Sequence, residues 1–183
     1  MTWTYPAGSV GQLIASDHVA EPTRIALQAR MAAKPGPPRW FDATEFALLC
    51  GVCARVIVDV PQVDIAGVID ARLAAGTGDG WRYDALPTDG EAYRQGLSTI
   101  DATARLLGGA AFLMLGPEAQ DAVLAAVQKT SRRWFEDLLA EAAETAYAHP
   151  AVQGAIGYAG FADLPGWIRI GLDEREAHEP IDE

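Results

Sequence analysis

The sequence predicts an all-α protein: a single-domain orthogonal helical bundle with an N-terminal arm and an irregular C-terminal tail. Three observations carry that prediction. Ala is abundant while β-branched residues are scattered, a balance that favours helix over sheet. Apolar residues recur at helical spacing in several separate stretches. Capping residues, Pro and Gly punctuate those stretches. At 183 residues the chain is long enough to bury a substantial core. The expected boundaries are an arm over 1–38, a helical domain over 39–175 and an acidic tail over 176–183.

In the arm, a short helix is expected from Pro22 to Ala33, with Pro22 tolerated in its first turn. Lys34-Pro35-Gly36-Pro37-Pro38 then breaks it. Asp42 and Glu45 form a capping-box pair, and Phe41 and Phe46 are spaced as a hydrophobic staple. The helix that follows shows Phe46, Leu49, Cys50, Cys53 and Ile57 on one apolar face. After Pro61 a further helix aligns Ile65, Val68, Ile69 and Leu73, and ends in a loop over Gly76–Gly80. Thr88 and Glu91 open another helix, which points Tyr93, Leu97, Ile100 and Leu107 inward and stops at Gly108-Gly109. Pro117 starts a helical region running to about Ala148, with a break expected near Thr130-Ser131 and a stop at Pro150. Beyond Pro150 the chain is rich in Gly and aromatics, without periodicity.

Charge narrows the function classes. The net charge of -11 is the wrong sign for nucleic acid, which a basic stripe must neutralise, and for an anionic membrane surface. The best apolar run is interrupted by Arg55 and Asp59, so no direct membrane span is expected. The N-terminal residues lack a positive n-region and an apolar h-region. Arg132-Arg133 lies too deep in the chain for a twin-arginine signal. The expectation is a cytoplasmic protein, periplasmic only if a partner carries it.

No pattern points to a catalytic, cofactor-binding or metal-binding residue. Cys50-Gly51-Val52-Cys53 is a CxxC, but it lies inside a helix, where a dipole-activated thiol would need the helix N-terminus. A zinc site would need two more ligands at metal spacing. Both cysteines are therefore expected in the core. A small thiol oxidoreductase using Cys50 and Cys53 remains the enzymatic alternative. Gly76–Gly80 follows a helix instead of a strand and lacks a phosphate-loop Lys. His18, His149 and His178 are far apart in sequence, and His149 suits a helix end. Aromatic residues in non-periodic segments are left over, and Trp and Tyr make good interface anchors. Trp81, Tyr83, Tyr158, Phe161 and Trp167 are the candidate partner-interface residues.

Several stretches, in order, carry a likeness. They are Phe41 to Ile57, Val68 to Leu73, Tyr93 to Leu97 with Ile100-Asp101, Pro117 to Leu124, Trp134 to Leu139, Gly157 to Gly160, and Gly166-Trp167. Together they resemble the gluconate 2-dehydrogenase subunit 3 family over roughly 38–175. The resemblance implies a non-catalytic small subunit that binds and stabilises a catalytic subunit of the glucose-methanol-choline oxidoreductase type. FAD would reside in that partner, and a cytochrome c subunit or other acceptor would take the electrons. The substrate would be a sugar, a sugar acid or a related alcohol. This sequence departs from the family pattern at Val58, where a proline is usual, and at Ala54, where an aspartate is common. It also lacks the twin-arginine signal that many members carry. A free-standing helical binding protein is the other alternative.

Overall fold

The computed structural model describes residues 9–61, 63–78 and 86–163. Among the described residues it is all-α, with no strand. The helices are α1 Ser9–Ala15, α2 Glu21–Ala32, α3 Ala43–Val56, α4 Ile65–Ala75, α5 Asp89–Gly108, α6 Pro117–Thr130, α7 Arg132–Tyr147 and α8 Pro150–Ile156. A 3₁₀ turn, Phe112–Met114, links α5 to α6.

The predicted punctuation is realised at most ends. Asp42 Oδ1 accepts from the backbone N–H of Thr44 and Glu45, both at 2.8 Å, and Glu45 returns the bond to the Asp42 N–H at 3.1 Å. This reciprocal box satisfies donors that a helix start leaves open. At α5 the Glu91 carboxylate accepts from the Thr88 hydroxyl at 2.7 Å and from its N–H at 3.3 Å. Gly76 and Gly109 close α4 and α5 at φ 64° and 71°, a left-handed conformation that glycine adopts without a Cβ penalty. Ser131 separates α6 from α7 at the expected break. Two short helices were not expected: α1 within the arm, and α8, which starts at Pro150 where irregular chain was predicted.

The contacts divide the chain into two compact units, Met1–Ala33 with Pro150–Glu183, and Lys34–His149. In the second unit α3 to α7 surround one core. Leu49, Val52, Ile69, Ile100, Phe112, Val127 and Leu138 are fully buried there. In the first unit α8 packs against α1 and α2, and Val10, Ile14, Val19, Leu27 and Phe161 form a small cluster. Asp163 ties that unit together: its carboxylate accepts from the Ala20 N–H at 2.6 Å and the Thr23 hydroxyl at 2.7 Å. The helices of the arm and the chain after Pro150 thus share a core, where the sequence placed them in separate segments.

Three expected core positions are corrected. Cys50 is exposed, Val68 is 47 % exposed and Leu107 is 59 % exposed. In α3 the buried face runs through Leu49, Val52 and Cys53. It is centred one position away from the face that the apolar residues alone suggested, so Cys50 is rotated outward. Leu107 lies in the last turn of α5, beyond Ala104, the last buried residue of that helix.

Candidate functional site

Within the unit formed by 34–149, a cleft of about 390 Å³ lies between α4, α5 and α7, with Leu86 and Pro87 on its wall. Arg72 of α4 is its hub. The guanidinium donates from Nε to Glu141 Oε1 at 2.5 Å and from Nη2 to Glu141 Oε2 at 2.9 Å, a bidentate pair. Nη1 donates to Asp89 Oδ2 at 2.7 Å and to the Thr77 carbonyl at 3.1 Å. The Tyr93 hydroxyl donates to Glu141 Oε2 at 2.6 Å. Three helices are thereby fastened through one carboxylate and one guanidinium.

The electrostatics of this group favour locking over proton transfer. Partial burial alone would lower the Arg72 pKa, but its bonds to Glu141 and Asp89 outweigh that and hold the charge more firmly. Burial, and then the Glu141 charge, push the Tyr93 hydroxyl well above its ordinary value. Neither group is poised near neutrality, where an acid–base catalyst works best. Asp89, Asp137, Glu141 and Glu144 line the cleft against a single arginine.

A second hollow of about 380 Å³ shares Leu86, Pro87, Ala92 and Trp134 with the first and extends over Gln95, Gly96, Thr99, Arg132 and Arg133. Trp134 stands between the two. Its ring meets Tyr93 edge to face at 6.1 Å and covers Gly96, where a Cβ would overlap the indole.

The two cysteines of the CxxC stand in different surroundings. Cys50 is exposed and Cys53 is buried. Burial pushes the Cys53 thiol up to about 12, and desolvation followed by the Asp64 charge raises Cys50. A reactive cysteine needs the opposite shift, toward thiolate. Among the described residues no three His, Cys, Asp or Glu side chains gather as metal ligands. Also among them, no helix is long and apolar enough to cross a membrane.

Of the five candidate interface residues, Trp81, Tyr83 and Trp167 lie outside the described residues. Tyr158 is half exposed, its hydroxyl folded over Gly160. Phe161 is only 8 % exposed and packs with Val10, Ile14, Val19 and Leu27, inside the core of its own unit.

Sequence reasoning passed over a further surface. From Leu106 to Pro117 the chain runs Leu-Leu-Gly-Gly-Ala-Ala-Phe-Leu-Met-Leu-Gly-Pro, with no polar side chain. Phe112 is fully buried, yet Leu106 is 83 % and Met114 79 % exposed. The uncharged run was the available signal, and its three glycines disguised it as a plain connection. A family model described as gluconate 2-dehydrogenase subunit 3 matches residues 43–166, more than half of the chain. The chain belongs to that family. No curated protein and no solved structure matches it. The match starts at the first residue of α3, directly after the Asp42 cap, and takes in the cleft, the uncharged run, Tyr158 and Phe161. As a gluconate 2-dehydrogenase subunit 3 family member, the chain is a dehydrogenase subunit by kind, and what it contributes to a complex becomes the central question.

Proposed function

We propose that this chain is a non-catalytic small subunit that binds and stabilises the FAD-containing catalytic subunit of a sugar, sugar-acid or alcohol dehydrogenase. The observation that carries the reading is the family match over 43–166. The cleft supports it, because Arg72, Asp89, Tyr93 and Glu141 are engaged with one another and clamp helices. Hydride chemistry then belongs to the flavin of the partner, which is of the glucose-methanol-choline type. A cytochrome c subunit or another acceptor receives the electrons.

The mechanism is thermodynamic. A subunit that binds only the folded flavoprotein adds RT ln(1 + [L]/Kd) to its stability, roughly 2.7 kcal/mol at a hundredfold excess over Kd. The test is thermal melting of the flavoprotein catalytic subunit, alone and with increasing amounts of this chain. The flavoprotein Tm is expected to climb with subunit concentration, while flavin absorbance and dehydrogenase turnover stay with the partner. A melting curve indifferent to the subunit, or turnover by the isolated chain, would defeat the reading.

A further inference from the structure

We infer that the hollow at the start of α7 is a binding site for a small oxyanion, a phosphate or a carboxylate. The site lies wholly within this chain, so it stands apart from the subunit role proposed above. α5 supplies Gln95 and Thr99 to its walls, and the joint between α6 and α7 supplies Ser131, Arg132, Arg133 and Trp134. No carboxylate is among the described residues that line it, although the chain carries a net charge of -11. Its volume of about 380 Å³ suits a small ligand.

Two independent features call for an acceptor there. The first is the helix end. Ser131, the N-cap of this 16-residue helix, makes no side-chain cap bond, and the first turn carries no acid. It carries Arg132 and Arg133 instead, two positive charges on the positive end of the helix dipole, and a bound anion relieves that repulsion. The second is Trp134, which is 4 % exposed and whose Nε1–H has no acceptor among the described residues. An orphaned buried donor costs stability until an acceptor reaches it. Cε2, the carbon bonded to that nitrogen, is the ring atom closest to where a Gly96 Cβ would stand. Gly96 lines this hollow and not the neighbouring cleft, so the nitrogen-bearing edge of the indole lies on this side.

The nearby carboxylates do not meet this need. Glu136 Oε1 accepts from Arg132 Nε at 2.7 Å, in an exposed pair that solvent screens. Asp137 lines the neighbouring cleft and not this hollow. Glu91, one turn before Gln95, accepts from Thr88. A phosphate or carboxylate brings several acceptor oxygens and a negative charge together. It thereby offers partners to the indole N–H, to the guanidinium groups and to the Gln95 amide.

The test titrates the isolated full-length chain with inorganic phosphate and, separately, with acetate, following the indole N–H resonances by NMR. Sodium chloride at matched ionic strength is the reference. The Trp134 resonance, assigned through its proximity to the Tyr93 ring, should shift saturably with at least one of the two anions and stay in place with chloride. The double variant Arg132→Gln, Arg133→Gln changes two exposed side chains, so its melting should move little. Its anion affinity should fall by about tenfold or more, as expected when charge-assisted bonds are lost. Arg105→Gln, which does not line the hollow, should titrate like the wild type. A Trp134 resonance indifferent to both anions overturns the site. So does a shift that chloride reproduces, or a double variant that binds both anions as the wild type does.

Discussion

Asp70 shows how one side chain organises a segment that has no regular structure. It is 2 % exposed, and its carboxylate accepts from three successive backbone N–H groups: Arg39 at 2.6 Å, Trp40 at 2.9 Å and Phe41 at 3.0 Å. The chain entering α3 is thus pinned to the middle of α4, and Phe41 is set into the core. Burial pushes the carboxyl up, but the three donors and the Arg39 charge outweigh it and hold the pKa below the usual carboxylate value. Asp70→Ala would strand all three donors, and a loss of about 3 kcal/mol in urea unfolding at pH 7 is expected. The pH dependence follows from the depressed folded pKa. Its stabilisation is complete above the unfolded value of about 3.9 and fades as pH falls through the folded value. The stability gap between wild type and Asp70→Asn should therefore narrow between pH 5 and pH 3, and a gap constant across that range would contradict the assignment. None of this was legible in the sequence. Asp70 looks like any polar residue beside Ile69, and its partners lie 29 to 31 positions away.

Elements were more legible than residues, because their ends are written locally. The boxes at Asp42-Glu45 and Thr88-Glu91, the glycines at Gly76 and Gly109, Pro117 and the break at Ser131 all act within one helical turn. Helix faces were less reliable. Cys50, Val68 and Leu107 are as apolar as their buried neighbours, so the sequence cannot say which of them turns outward. The Arg72–Glu141 pair spans 69 positions, and only the packing of α4 on α7 creates it. Close approach between elements is equally non-local. Gly96 admits Trp134 of α7 against α5, with the indole where a Cβ would stand. Gly96→Ala improves intrinsic helix propensity by about 1 kcal/mol. The overlap should nevertheless prevail, because the indole is 4 % exposed and held edge to face against Tyr93 and Phe135. A net loss of about 2 kcal/mol is expected by chemical denaturation. A variant as stable as wild type would show that α7 can slide on α5.

On the scale of the whole molecule, the chain builds its larger core from the middle of the sequence and a smaller cluster from its two ends. Every side chain of the larger core lies between Trp40 and Ala146, and the smaller cluster draws on Val10 to Leu27 and on Phe161 and Ala162. The larger unit contains its own helix caps, the Asp70 pin and the Arg72–Glu141 clamp, each made within the same span. It also contains the uncharged run over 106–117. A fragment of residues 34–149, about 116 residues long, falls in the usual size range of domains that fold alone. It should therefore give a helical circular dichroism spectrum and a single cooperative thermal transition. If it does, and if the docking surface lies within this unit, it should also retain the affinity of the full chain for the catalytic subunit within about threefold. A fragment that melts without cooperativity or binds a hydrophobic dye would show that the larger core depends on the chain ends. A cooperatively folded fragment that no longer binds would move the docking surface to those ends, where the half-exposed Tyr158 becomes the first residue to test.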